Sequence, residues 1–567
     1  MHEQIFAPLD LYQNELKAKH EKNVGEYLDA LVQKSGIDGE KNAKTVSAYE
    51  KHTADIKTYQ SQIEKQKSKR AWLIFLIISA FFAGVIVLCK YLPLQELRIT
   101  LIVVLLAVAV FLICYTCKKL NATIRATNES VQDLKDKADA LLDEAYGQTA
   151  GLNALFSDYD ATDLVSKTLP CLRFDSYFTG ARLYEMVNAY DYLIRASEQE
   201  CVLNVLSGEL YGNPFLFESY LNHYTSFRTY HGSLTIHWTE EKQDSNGRWV
   251  QHSRSQTLHA SITKPEPCYD IHTCLHYGHD DAPKLCFSRQ GKHAEDKTEG
   301  QLKRTIRKGE KKLQRLTAQA LKRDENFTEL LNTEFEILFD ATNRNDEIAF
   351  RYLFTPNAQE EMLKLLLNSE GYGDDFDFIK YKKCNTVRSE HTQFNGIDTS
   401  AKRYYSYSLS EIKERFTRLN CKFFESVYFD FAPILTISAY QQPRISDTKI
   451  QKEDLCCYNY EILANKLQEY LMPYGAISQA IFKTELLEKN DEQEKIAVTA
   501  YTYTAHERVH YERVYGDDGN WHEVPVYWTE YIPARKRSVM LVVYTEESRK
   551  SMKNPCVTHQ GVYACIL

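Results

Sequence analysis

The stretches 71–89, AWLIFLIISAFFAGVIVLC, and 99–117, ITLIVVLLAVAVFLICYTC, decide how this chain is built. Each is 19 residues long and carries no charge. At helical rise each covers roughly 28 Å, close to the ~30 Å hydrocarbon core of a bilayer. Only the nine residues 90–98 separate them, and Pro93 supplies the break. The pair predicts a two-helix transmembrane hairpin over 71–118. Lys and Arg set its orientation: six lie in the 20 residues before the first span, five in the 20 after the second, and two in the connecting loop. The positive-inside rule then places both termini in the cytoplasm. Neither span has an ionisable side chain in its middle, which is the usual mark of an ion or proton path. The hairpin therefore reads as an anchor.

Working outward, both flanks carry heptad-like stripes without Pro or Gly. Before the first span the series is Val46, Tyr49, Thr53, Ile56, Gln60, Ile63. After the second it is Leu120, Ile124, Thr127, Val131, Leu134, Ala138, Leu141, Ala145. Steps of three and four match a coiled-coil template. The hairpin brings the two series side by side, so an antiparallel stalk is expected, with Ile63 near Ile124, Ile56 near Val131 and Tyr49 near Ala138. Packing of either stripe on the globular portion is the alternative. Residues 9–33 predict a further helix, ended near Gly36 and Gly39.

From about residue 150 the period changes to two. Leu234, Ile236 and Trp238 share one face and Thr235, His237 and Thr239 the other; Leu258, Ala260 and Ile262 alternate likewise. Asp244 to Gly247 is the expected turn. The pattern returns over 496–515 and 521–532, around Asp517-Asp-Gly-Asn520, and each turn is followed by a Trp (Trp249, Trp521). Residues 539–544 read as a separate buried strand. Helices are expected over 180–198, 301–340, 358–367, 410–424 and 458–471. The class is α+β: a transmembrane hairpin with a coiled-coil-like stalk and a large β-rich portion. The divisions are 1–70, 71–118, 119–150, 151–345 and 346–567.

Composition narrows the functions. Tyrosine is abundant, 38 against 5 Trp, as half-buried strands favour. A formal charge of −8 argues against nucleic acid as the general partner. The 14 cysteines lack the repeated CxxC sets of a zinc ribbon and suit a reducing compartment. The first 70 residues are too polar for a cleavable signal, and the terminal Ala-Cys-Ile-Leu is not a prenylation box.

Three segments resemble reactive sites. His506-Glu507-Arg508-Val509-His510 matches the zinc-peptidase pattern HExxH, whose chemistry needs a helix to bring both imidazoles onto one face. Its Thr-, Tyr- and Val-rich surroundings predict a strand, which would hold His506 and His510 about 13 Å apart. Cys268, His272, Cys274, His276 and His279 form the densest ligand cluster, with His272, Cys274 and His276 on one strand face, but no second ligand pair accompanies them. Gly373-Asp374-Asp375-Phe376-Asp377 lacks the spacing of a calcium loop and reads as a turn into a strand. A basic run, nine Lys or Arg over 303–323, suits either a solvated helix face or lipid headgroups. No catalytic, cofactor-binding or metal residue is assigned.

The stretches SLTIHWTEE (233–241), RSQTLHASITKP (254–265), DDAPKLCFSR (280–289), TEFEILFDATNRNDEIAFRYLFTPNAQEEMLKLLL (333–367) and GYGDDFDF (371–378) resemble an uncharacterised family of bacterial two-span membrane proteins. The likeness covers roughly 150–400 and implies an inner-membrane location; it brings no active site. The expected function is a membrane-anchored interaction or scaffold protein. It would bind the bilayer and a protein partner, with a homo-oligomer possible and no cofactor. The alternatives are a membrane-tethered zinc metallopeptidase, or a sensor whose hairpin oligomerises.

Overall fold

The computed structural model describes residues 4–91, 95–195, 197–243, 248–323, 327–445, 455–490, 492–545, 556–559 and 562–566. Pro93 and the turn Asp244 to Gly247 lie outside them. The described residues form two compact units. One comprises 24–157 with 401–419; the other comprises 1–23, 158–400 and 420–567.

The first unit is helical. Helices Gly39–Tyr91 and Gln95–Asn153 each contain a window long and apolar enough to cross a membrane, with no part of either window buried. The helices run antiparallel, and Ile56, Ile63, Ile124 and Val131 meet in one apolar cluster. Farther down, a third segment joins the two helices. The Tyr49 ring packs edge-on against Tyr407 at 5.4 Å, and Tyr146 meets the same ring at 5.7 Å. The buried Asn42 amide donates to the Tyr407 carbonyl at 3.0 Å and accepts from the Leu409 backbone N–H at 2.9 Å. Residues 401–419 thus close this end, a contact more than 360 positions distant in sequence that no periodicity announces. Cysteines placed at Ile56 and Val131 are expected to crosslink within one chain under mild oxidation. Links formed only between chains would make the seam an oligomer interface.

The second unit contains two antiparallel sheets. Strands β1 (Leu172–Phe174), β2 (Glu200–Leu210), β3 (Asn213–Gln243), β4 (Trp249–Gly278), β5 (Cys286–Arg289), β6 (Asp377–Tyr381) and β7 (Cys384–Arg388) form a sheet in the order β1-β2-β3-β4-β7-β6-β5. Strands β8 (Ile481–Lys489), β9 (Gln493–Tyr515), β10 (Trp521–Val543), β11 (Cys556–His559) and β12 (Val562–Ile566) form the other, in the order β11-β12-β10-β9-β8. Residues 420–435 of helix Leu409–Leu435 cover the first sheet, where Phe431 meets Phe215 and Phe217 edge-on at 5.0 and 5.4 Å. Helix Cys457–Lys466 covers the second through Leu463 and Ala464, against Phe482, Ile496, Val498, Met540 and Val542. Each large side chain so buried contributes roughly 1.5–3 kcal/mol.

Three expectations change. The boundary at 345/346 does not divide the fold, because β5 lies before it while β6 and β7, its sheet neighbours, lie after it. The helix expected over 301–340 is two: Glu299–Arg323, and Thr333–Phe339 with its own cap, where the Asn332 side chain accepts from the Phe335 N–H. Residues 539–543 are not a separate strand but the end of β10. The charged run Arg535-Lys536-Arg537 looks like a break, yet β10 is an edge strand there and all three side chains are exposed.

The run 335–356 that carries the family likeness is core. Phe335, Phe339, Phe350 and Phe354 pack together with Phe287 and Phe378. Within it the buried Arg344 guanidinium donates to Glu336 and Glu347. The phenylalanines and the Arg344 network hold this part of the fold together.

Candidate functional site

Two hairpins leave the sheets as free ribbons. From His223 to Tyr269, β3 and β4 pair only with one another; from Ala505 to Tyr531, so do β9 and β10. An isolated two-stranded ribbon is marginal in water. These two solve the problem together. Even-numbered residues of β3–β4 (Leu234, Ile236, Trp238, Leu258, Ala260, Ile262) pack on even-numbered residues of β9–β10 (Val514, Val524, Val526). Val524 and Val526 are fully buried. The period of two read from 234–238 and 258–262 is the inner face of this arm.

The layers approach closely because Gly232 lies at the crossing. A Cβ there would sit 2.1 Å from the Pro525 carbonyl oxygen. Near the far end, the Asp517 N–H donates to the Gln256 side chain at 2.7 Å. Toward the base, the Tyr531 hydroxyl donates to Glu266 at 3.2 Å.

The register leaves an unusual outer surface. In β9–β10 odd residues oppose odd residues: Val509 faces Tyr527, Tyr511 faces Pro525 and Tyr515 faces Trp521. Opposed residues share a face, so these side chains line the side turned away from Val514, Val524 and Val526. Tyr511, Trp521 and Tyr527 are 60%, 66% and 68% exposed. Tyr515 and Trp521 stack edge-on at 5.4 Å. At the arm's base a cleft of about 380 Å³ is lined by His223, Tyr269, Ile481, Tyr501, Tyr503 and Pro533. The His223 Nε2 is buried there without a hydrogen-bond partner, and burial lowers the pKa of this imidazole. An aromatic stripe beside a cleft can take an extended or apolar protein segment; it holds no constellation for bond-making.

No family model, curated protein or solved structure matches this chain. The site must be judged on geometry.

HExxH lies wholly within β9, with His506 opposite Glu530 and His510 opposite Val526. Both imidazoles are exposed; Arg508 between them pairs with Glu530 at 2.8 Å, and His506 contacts the Thr504 hydroxyl at 3.0 Å. The helix that peptidase chemistry requires is not there.

The Cys268–His279 residues each have partners of their own. His276 contacts the Thr386 hydroxyl at 3.0 Å and lies 3.3 Å from Glu218; His279 accepts from the Asp281 N–H and stacks on Tyr277. Glu218 is buried and also takes Arg195 at 2.9 Å and the Tyr192 hydroxyl at 3.0 Å. Burial would raise its pKa, but His276 and Arg195 outweigh burial and hold the carboxyl below its ordinary range. His276 thus belongs to a polar network with Glu218, Arg195, Tyr192 and Thr386 in the sheet.

The 373–377 segment runs into β6, as expected, and carries buried carboxylates at Asp374 and Asp375. Asp375 is buried and receives the Arg289 guanidinium and the N–H groups of Lys292 and Ala294, while Asp377 receives the Gly291 N–H at 2.9 Å. This clamp positions His293, whose φ is +51°. Its Nδ1 lies 3.6 Å from Glu295 and 3.5 Å from Glu390, and the three ligand atoms lie within 4.8 Å of one another. One His and two carboxylates are chemically suited to a divalent cation. No local motif marks the grouping, since Glu390 is brought in from nearly 100 positions away.

Beside it, burial drives the Asp374 carboxyl up to about 7, against the opposing hydrogen bond from the Glu390 N–H. A raised folded pKa means stability that is full below the unfolded value of 3.8 and lost as pH rises toward 7. Asp374→Asn should remove this loss, so the variant gains on the wild type by up to about 4 kcal/mol between pH 4 and 7. Melting curves of both proteins across that range test it; parallel profiles would refute it. The nearby His391, lowered by burial to about 4, is common to both proteins and cancels in the difference.

Proposed function

We propose that the chain is a membrane-anchored interaction protein with both termini in the cytoplasm, and that its crossed-hairpin arm engages a protein partner. The observation that carries this is the odd face of β9–β10. On this face Tyr511, Tyr515, Trp521 and Tyr527 gather around the exposed Arg513–Glu523 pair, and exposed aromatic residues clustered with polar ones mark an interaction surface, where monomer surfaces scatter large apolar residues singly. Tyr and Trp are the residues that supply most interface energy, because they bury a large area at small entropic cost. The supporting facts for the anchor are two apolar helices of membrane length and the Lys/Arg asymmetry around them. On this reading the paired helices form a coiled-coil-like stalk.

Photo-crosslinking amino acids at Tyr511 and Tyr527 in living cells are expected to give a discrete adduct. The same probe at Tyr474 and Leu331, exposed sites off the arm, should not. The adduct should disappear when Trp521, Tyr511 and Tyr527 other than the labelled site become Ser. Equal labelling from all positions, or none from the arm, would discard the reading. Reporter fusions at residues 1 and 567 test sidedness separately.

A further inference from the structure

Helix Glu299–Arg323 has two opposed sides. Leu302, Gly309, Leu313 and Ala320 recur at steps of seven, four and seven. Leu313 and Ala320 are buried, and a Cβ at Gly309 would meet the Ile337 side chain at 2.3 Å. This side lies on helix Thr333–Phe339. At 3.6 residues per turn, Arg304, Lys308, Lys311, Arg315 and Lys322 fall within about 60° of arc, directly opposite. All five are exposed. From Arg304 to Lys322 the row is about 27 Å long.

The row is short of counter-charge. Lys303 pairs with Glu299, and Lys312 with Asp340, but both lie off the row. Arg304, Lys308, Lys311 and Arg315 have no ion-pair partner among the described residues. Residues 303–323 hold nine basic residues and one acid, Glu310, in a chain whose formal charge is −8. Four unpaired cations held in line on a rigid helix repel one another unless an anionic surface neutralises them.

We infer that this basic row docks on the anionic phosphate headgroups of a lipid leaflet. The charge complementarity is direct, and the chain's two membrane-length helices supply a leaflet as neighbour. A straight row of Lys and Arg suits a flat array of headgroups. The helix has no aromatic side chain on which a base could stack, as single-stranded nucleic acid would require. The inference is independent of the arm's partner.

The test uses the full chain held in phosphatidylcholine nanodiscs; its incorporation checks the anchor before lipid binding is read. Dense vesicles of phosphatidylcholine, with or without phosphatidylglycerol, are added, and the co-sedimented nanodisc protein is measured. Binding is expected only with phosphatidylglycerol and should fall steeply as salt rises. Each basic residue near such a leaflet strengthens binding about fivefold, so the combined change Arg304→Gln, Lys308→Gln, Lys311→Gln and Arg315→Gln should weaken it at least about a hundredfold. Lys308→Arg with Lys311→Arg should bind as the wild type does, and Lys303→Gln nearly so. Unchanged binding by the four-Gln variant, equal binding to neutral vesicles, or a DNA duplex that binds the row and is not displaced by anionic vesicles would each overturn the inference. Should the four-Gln variant melt early, the salt dependence of the wild type decides alone.

Discussion

Replacing Arg182 by Ala is expected to destabilise the β-rich unit by about 3–5 kcal/mol, enough to remove most folded protein. Arg182 is 1% exposed and lies in helix Gly180–Tyr190. Its guanidinium donates to both Asp175 oxygens at 2.9 Å, to Glu185 at 2.6 Å and to Glu209 at 2.9 Å. One cation therefore serves three nearly buried carboxylates, one from the segment after β1, one from its own helix and one from β2. Removing it leaves three negative charges facing each other away from water. Arg444, at 3.2 Å from Glu185, neutralises only part of that. Lys would restore the charge but not the planar fork that reaches three partners, so Arg182→Lys should fall between wild type and Ala. Expression level and melting temperature read the outcome; a loss below about 1 kcal/mol for Ala would show that the carboxylates relax into solvent.

Gly232→Val is expected to part the two layers of the arm while the sheets below stay folded. The nearest obstacle to a side chain is backbone, the Pro525 carbonyl, which cannot rotate away. Overpacking of this kind costs about 1–3 kcal/mol. The ribbons separate more cheaply than they strain, because each holds its own internal ladder. Limited proteolysis should then cut within 223–269 and 505–531 many times faster, with the main melting transition unmoved. Gly147→Ala, where an added Cβ meets nothing within 4 Å, is the control. A Gly232→Val arm as protected as the wild type would mean that the crossing is loose. The same variant should weaken any partner adduct formed at Tyr511, since that face is held flat by the layer behind it.

Periodicity made the arm's inner face and the apolar helices legible. Leu234, Ile236 and Trp238 alternate because a ribbon with one dry face must alternate. What sequence could not reveal was that the dry faces belong to each other, since Ile236 and Val526 are nearly 300 positions apart. The aromatic stripe was invisible for a related reason. Tyr511, Tyr515, Trp521 and Tyr527 look like ordinary strand residues until the register puts them on one side. Polar residues misled most. Carboxylates are rarely buried, so nothing marked Asp374 and Asp375 as core, yet Arg289 and three backbone N–H groups make their burial tolerable. Arg182 carried no signal at all, because its partners come from three elements.

The separation of the two hairpins also matters while the chain is being made. The ribbon ending at Gly278 emerges from the ribosome some 215 residues ahead of the start of β9. At about 5–20 residues per second, its greasy side waits on the order of 10–40 s for the layer that will cover it. During that interval Ile236, Leu258 and Ile262 form an open sheet face on an unfinished protein. A chain cut short before residue 493 would keep that face permanently uncovered. Truncation products should accordingly be sticky and chaperone-bound, and the newborn first hairpin the part of this molecule most in need of a holding partner.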